Sequence, residues 1–307
     1  MLHVQRASYS AVLLMTALVF VSGCGEPAAP PPGAPDEARA PTIDQGTESE
    51  PDESKTGGTE TATGDPSSGA SAGEWGTLTG RIVFDGQPPA PQPIDTSKDP
   101  NCKVKLATEN ILVGDNGGLA NAVVMLRTKD VPVNPEYEKT AGAKIDLTNK
   151  NCRFEPHVQI VRLSQELLLK NDDPTGHNTN VSPLQPRNPA INPILAMGGD
   201  PTPYQFSAEE AVPVPVKCNI HPWMSAWIVA RKDPYAAVTD KDGKFTIHDL
   251  PAGRELEFRL WHESPGYLKN ATFKGGKADN RGTFKIKLKP GTNDLGDIKV
   301  SGSIFKR

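Results

Sequence analysis

Several things are scarce in this 307-residue sequence, and each scarcity excludes something. The apolar run near the start, Ala11 to Val21, spans 11 residues, about half of the ~20 that a membrane-spanning helix needs. No window carries a long helical repeat, which argues against a helical bundle. Short apolar stretches broken by 30 prolines and 28 glycines point instead to an all-β architecture built from sandwiches. The formal net charge is −4, and no segment is basic enough to suggest nucleic acid as a partner.

The N-terminus reads as a targeting segment over residues 1–24. Arg6 supplies the positive region and Ala11 to Val21 the short apolar one. Val21-Ser22-Gly23-Cys24 then resembles the bacterial lipobox, which implies that Cys24 is lipidated, becomes the new N-terminus and anchors an exported protein to a membrane of the cell envelope. The plain alternative is a secreted protein cleaved nearby. Gly25 after the cysteine favours onward transfer to an outer membrane where the cell has one. Residues 25–74 carry 11 acidic and 2 basic residues and almost no large apolar side chains. Such a segment cannot bury enough surface to offset its ordering entropy and is expected to be a disordered acidic tether.

From residue 75 the pattern changes. Thr77 to Phe84 reads as a strand stopped by Asp85-Gly86. Ile111-Leu112-Val113 and Ala122 to Leu126 flank Asp115-Asn116-Gly117-Gly118 as a hairpin. Lys144 to Leu147, Val158 to Val161 and Leu167 to Asn171 are further short strands. Pro183 to Tyr204, with six prolines, is too apolar for a linker and too broken for a strand. It is expected to be a flap over or beside the functional end, or else a surface insertion. Met197 within it is expected to pack rather than to bind.

The chemistry concentrates in Lys217-Cys218-Asn219-Ile220-His221-Pro222-Trp223-Met224. Val212, Val214, Val216 and Cys218 recur with period two, placing Cys218 on the inward face of a strand. The turn after it can fold His221 and Met224 back toward the sulfur. A second imidazole is available 41 residues upstream at His177, followed by Asn178. Two His, one Cys and a weak axial Met form the ligand set of a blue-copper electron-transfer site. The same cage of two His and a Cys also suits zinc, though Met argues for copper. Trp223 is placed to pack over the site or to present a surface for electron exchange.

On these residues the sequence resembles the cupredoxins, the plastocyanin and azurin class. The resemblance implies a Greek-key sandwich holding one type 1 copper, with His177, Cys218, His221 and Met224 as metal ligands and Asn178 tying the two ligand loops together. It also implies single-electron transfer between redox protein partners rather than catalysis. Pro213 and Pro215 depart from the family pattern, and the strand is expected to pair on one side only there. A two-copper site would need a second cysteine in the loop. A copper enzyme would need more histidines than His157, His248 and His262, which show no clustered spacing. His157 is expected to pack near a turn, His248 to lie at the surface, and His262 to face solvent at a strand end. A copper carrier or store, and a metal-free structural envelope protein, are the alternatives.

With Cys24 and Cys218 given these roles, Cys102 and Cys152 remain. In an oxidising compartment they are expected to pair, closing a 50-residue loop worth about 4 kcal/mol on the chain-entropy account. A disulfide to Cys218 is the alternative, and it leaves an odd thiol. Further on, Thr239-Asp240-x-x-Gly243-x-Phe245-x-Ile247 followed by Leu250-Pro251-x-Gly253 resembles the carboxypeptidase-regulatory-like sandwich, a transthyretin-like module without catalysis. Leu256 to Trp261 alternates as a strand, and Phe284 to Leu288 and Ile298 to Val300 are expected at the sheet edges. The organisation expected is signal segment 1–24, tether 25–74, copper domain 75–232 and small sandwich 233–307.

Overall fold

The structure, a computed structural model, describes residues 74–305. The expected signal segment with Cys24, and the tether but for its last residue, lie outside the described residues. What is described is nearly all β and forms two sandwiches.

The first sandwich is assembled from both ends of the described chain. Trp75–Asp85 lies between Lys244–Pro251, antiparallel, and Gly291–Ser301, parallel, with Thr272–Phe273 and Gly276–Lys277 beyond. The other sheet runs Ala236–Val238, Val123–Leu126, Glu255–His262, and then Gly266–Tyr267 and Thr283–Lys287 on the far side of Glu255–His262. Period-two alternation turns Leu78, Ile82 and Phe84 inward against Phe245, Ile247, Phe258, Leu260 and Ile298, all buried in one core. Gly291–Ser301 is therefore interior to its sheet, not at the edge expected for Ile298 to Val300.

The turns at residues 114–118 and 240–243 meet backbone to backbone. A Cβ on Gly243 would overlap the Ile82 carbonyl, and its φ of +78° suits glycine. The expected hairpin between residues 111–113 and 122–126 is not formed. Val113 makes a single bridge to Leu119, while Val123–Leu126 pairs with Ala236–Val238 and Glu255–His262.

The second sandwich consists of two four-stranded sheets. One sheet runs Asn180–Val181, Val214–Lys217, Ser225–Arg231, Val158–Arg162, and the other Thr202–Tyr204, Glu166–Asn171, Lys144–Lys150, Arg153–Glu155. Their inner faces bury Leu147, Phe154, Val161, Leu167, Leu169, Val214, Val216 and Ile228. The Pro213 and Pro215 strand pairs with Ser225–Arg231 along Val214–Lys217, but meets Asn180–Val181 only at Val216 and Lys217. Beyond that, the carbonyl of Pro215 still accepts the Ser182 N–H. A short hairpin, Pro93–Ile94 with Leu106–Ala107, joins this sandwich, stapled by the Cys102–Cys152 disulfide with Cα atoms 5.7 Å apart.

The expected division at 232/233 does not follow the strand pairing. Trp75–Asp85 and Val123–Leu126 belong to the same sandwich as residues 235–305. The second lobe is thus an insertion, made chiefly of residues 143–231 with the 92–107 hairpin added. Fusion end to end was the simpler reading of a local pattern, but pairing partners more than 200 residues apart leave no local trace.

The two lobes share an apolar seam of Val123, Met125, Val158, Val229 and Trp261. Trp227 packs edge-on against Trp261 at 5.0 Å. Buried Arg231 donates to the Leu126 carbonyl at 2.9 Å and pairs with Glu209 and Asp233.

Candidate metal centre

Cys218 follows directly on Val214–Lys217, and its Sγ is buried. The next residues fold back as a tight loop. Met224 N–H donates to the His221 carbonyl at 2.9 Å, and Cys218 N–H to the Met224 carbonyl at 3.2 Å. His221 N–H points at the Cys218 sulfur, 3.4 Å away. Pro222 in this turn costs no ladder bond, because its nitrogen faces none.

His177 sits on the two-residue strand His177–Asn178, paired to Ile194–Leu195 with Leu195 opposite His177. The irregular stretch 183–204 therefore backs a proposed ligand directly. Met197 in it is 64% exposed, so the packing expected of it is corrected. The reason is local: Leu195, not Met197, turns into the core.

The geometry brings three donor atoms together. Cys218 Sγ lies 3.9 Å from His177 Nδ1 and 3.8 Å from His221 Nδ1, and the two Nδ1 atoms are 2.9 Å apart. All three side chains are buried, as is Met224. Each imidazole meets a carboxylate at its outer nitrogen: Asp173 at 2.9 Å from His177 Nε2, and Asp99 at 2.8 Å from His221 Nε2. A carboxylate accepts, so both Nε2 atoms carry the proton and both Nδ1 atoms turn lone pairs inward. Burial, and then the neighbouring His221, hold His177 below the ordinary imidazole value, which favours the neutral ring with a lone pair free.

Two lone pairs at 2.9 Å repel unless a cation lies between them and the thiolate. Metal bonds of about 2.0 Å to nitrogen and 2.3 Å to sulfur reach N–N separations up to about 4 Å and N–S up to about 4.3 Å. The donor set fits one soft-to-borderline ion.

Asn178 knots the two ligand segments. Its Oδ1 accepts the N–H of Asn219 at 2.7 Å and of Ile220 at 3.1 Å, and its amide reaches Asn192 and Asn219. Trp223 packs on His221 with ring centroids 5.0 Å apart and donates to the Cys152 carbonyl at 3.2 Å.

Sequence reasoning did not find Asp99 and Asp173. Asp173 lies four residues before His177, a spacing that offered a local signal. Asp99 has none, since it arrives through the fold.

The remaining histidines among the described residues lie elsewhere. His248 is exposed. His157 is buried, with Nε2 2.5 Å from Glu263 and Nδ1 3.1 Å from Glu109. The Glu109 contact lies off the hydrogen-bond line and is an ion pair. The solvent-facing position expected for His262 is corrected: it is fully buried at the end of Glu255–His262, packed against Phe305 at 5.5 Å. The strand end is capped by the chain's own C-terminal turn, which alternation alone could not reveal.

No protein-family model and no curated protein matches the chain. Among solved structures it is similar to the Cu-containing nitrite reductase (NirK) of Thermus scotoductus SA-01, at 16% identity over 34% of this chain and 25% of that one, TM-score 0.26. It is also similar to a purple cupredoxin of Nitrosopumilus maritimus, at 22% identity over 29% of this chain and 98% of that one, TM-score 0.23. A Cu(I) form of an amicyanin mutant gives 16% identity over 35% and 98%, TM-score 0.25. The chain spans about a quarter of the nitrite reductase. At these scores the likenesses carry no argument, and the reading of the site rests on the chain's own atoms.

Proposed function

We propose that the chain is a lipid-tethered protein of the cell envelope, exported through residues 1–24 and anchored at Cys24. In this reading His177, Cys218, His221 and Met224 would hold one copper in the cupredoxin-like lobe. The observation that carries it is the convergence of two inward-facing Nδ1 lone pairs and one buried sulfur within 3.9 Å of one another. Bound there, copper would supply a one-electron Cu(II)/Cu(I) couple. The chain's own part is to hold the donors still: Asn178 locks one segment to the other, and both imidazoles are fixed from behind.

Electron transfer between protein partners, without catalysis by this chain, is the function this arrangement serves best. Ile194 and Ile220 are exposed beside Asn178, at 79% and 52%. They offer an apolar rim at the ligand end against which a redox partner can seat.

The test is a visible absorption spectrum of the oxidised, copper-loaded chain with elemental analysis. An intense thiolate-to-copper band at about one copper per chain is expected, and Cys218→Ser should abolish it while the fold persists. Intense colour retained in that variant refutes the ligand assignment. Tight copper without the band favours a carrier. No stoichiometric metal leaves a structural envelope protein.

A further inference from the structure

The hairpin at residues 92–107 stands outside the two sheets of its lobe, yet it supplies one of the closest contacts to the centre. Asp99 Oδ2 accepts from His221 Nε2 at 2.8 Å and from the Thr175 hydroxyl at 2.9 Å, while Oδ1 accepts the Asn101 N–H at 2.8 Å. One carboxylate thus grips both ligand-bearing segments, through His221 on one and Thr175 on the other.

Its own position is set by the disulfide. Cys102 lies three residues on, its N–H bonded to the Asp99 carbonyl at 3.1 Å, and its carbonyl accepts the Thr96 hydroxyl at 2.8 Å. At the other sulfur, Cys152 N–H donates to Asp173 Oδ2 at 2.9 Å, the same oxygen that meets His177. The Cys152 carbonyl takes the Trp223 indole. The two half-cystines therefore each stand next to the carboxylate that orients one of the two imidazoles. Apart from the disulfide and the Asp99 contacts to His221 and Thr175, the hairpin is held by the two-residue strands Pro93–Ile94 and Leu106–Ala107, apolar contacts and one Arg153 hydrogen bond to the Ala107 carbonyl.

We propose that Asp99 is a positioning residue of the metal centre, fixing the His221 tautomer and ring so that Nδ1 faces Cys218, and that the Cys102–Cys152 disulfide keeps it there. The proposal rests on the copper reading for its effect on metal. Its effect on the imidazole stands without metal. A side chain that meets a ligand's outer nitrogen sets which nitrogen is free to bind and how basic it is. An anion behind the ligand also stabilises the more positive oxidised state of whatever ion is bound.

The experiment uses the full chain and three variants at Asp99, with a Cys102→Ser/Cys152→Ser double variant. In the metal-free protein, imidazole nitrogen NMR should show His221 protonated at Nε2. Asp99→Ala should give a mixture of tautomers, Asp99→Asn should keep the tautomer, and Asp99→Glu should restore it in part. With copper, Asp99→Ala should bind Cu(II) about 10- to 100-fold more weakly. Both Asp99→Ala and Asp99→Asn should shift the reduction potential upward, since each removes the negative charge. The cysteine double variant should move tautomer and affinity as Asp99→Ala does, and combining the two should add little. Should Asp99→Ala fail to fold, the near-isosteric Asp99→Asn still decides through the potential. An unchanged tautomer in Asp99→Ala, or an unchanged potential in Asp99→Asn, overturns the proposal. A wild-type chain that binds no copper overturns the function proposed above, while the NMR arm decides this one.

Discussion

At the residue scale, two histidines near the lobe junction make opposite demands on pH. Burial opposes charge on His157, but Glu109 and Glu263 outweigh it and push its pKa up to about 9. Burial pushes His262 down to about 4, with Glu263 opposing and the His157 charge adding to the fall. A raised pKa contributes stability that is complete below the unfolded value and is lost as pH rises through the folded one. The His157 contribution, up to about 3 kcal/mol, is therefore present below pH 6.5 and disappears between about 6.5 and 9. His262 is the reverse: the unfolded chain takes its proton first, so stability falls as pH drops from about 6.5 toward 4. The expected profile is a maximum near pH 6.5. Urea unfolding of wild type and His157→Gln at pH 6.5 and pH 9 checks it, since the variant should lose most of the difference between the two. An equal alkaline decline in both would remove His157 as its cause. Neither role was legible in Glu155-Pro156-His157 or Trp261-His262-Glu263, because the partners come from Glu109, 48 residues before His157, and from the C-terminal turn. His177, Cys218 and His221 were legible because two of them share one loop and the third has a neighbouring Asn. Chemistry carried on contiguous residues leaves a motif, and chemistry assembled across the fold does not.

At the element scale, the stretch 183–204 is divided between inward and outward residues in a way that its prolines hid. Ile194–Leu195 pairs with His177–Asn178, and the Leu195 carbonyl takes the Asn171 amide at 3.0 Å. Asn188, earlier in the same stretch, bonds Glu210 and the Ala208 carbonyl, so the segment is tied down at several points rather than draped. If it supports the strand that carries His177, Leu195→Ala should cost about 2–5 kcal/mol and, on the proposed copper reading, also weaken metal retention. Met197→Ala, at an exposed site two residues on, should stay within about 0.5 kcal/mol with retention unchanged. Denaturation with and without metal separates the cases: a Leu195→Ala loss that is the same in both would make the strand a matter of stability alone. The proline-containing strand before Cys218 was readable for a related reason. Proline removes a donor at a known position, and the structure places Pro215 where the neighbouring strand pairs by its carbonyl alone.

At the scale of the whole molecule, insertion of one sandwich into the other makes the lobes interdependent. A cut at 232/233, where the sequence pattern changes character, would leave Leu78, Ile82, Phe84, Val124 and Leu126 on one fragment. It would leave Phe245, Ile247, Phe258, Leu260 and Ile298, which share their core, on the other. Each large apolar side chain left uncovered forfeits about 1.5–3 kcal/mol. Five on one fragment alone match the entire stability of an ordinary domain, about 5–15 kcal/mol. Trp75–Asp85 would also lose both neighbouring strands and expose two hydrogen-bonding edges. Fragments 75–232 and 233–307, made separately, should therefore show no cooperative thermal transition by circular dichroism. Mixed together, they should recover one, because the missing strand partners are then supplied. The candidate metal centre lies in the inserted lobe, but Val158–Arg162 and Ser225–Arg231 meet the outer sandwich through Val158, Val229 and Arg231. Metal binding by fragment 75–232 should accordingly depend on adding 233–307. A cooperative melt and full copper binding by 75–232 alone would show that the inserted lobe folds without its host, and that the seam serves docking rather than folding.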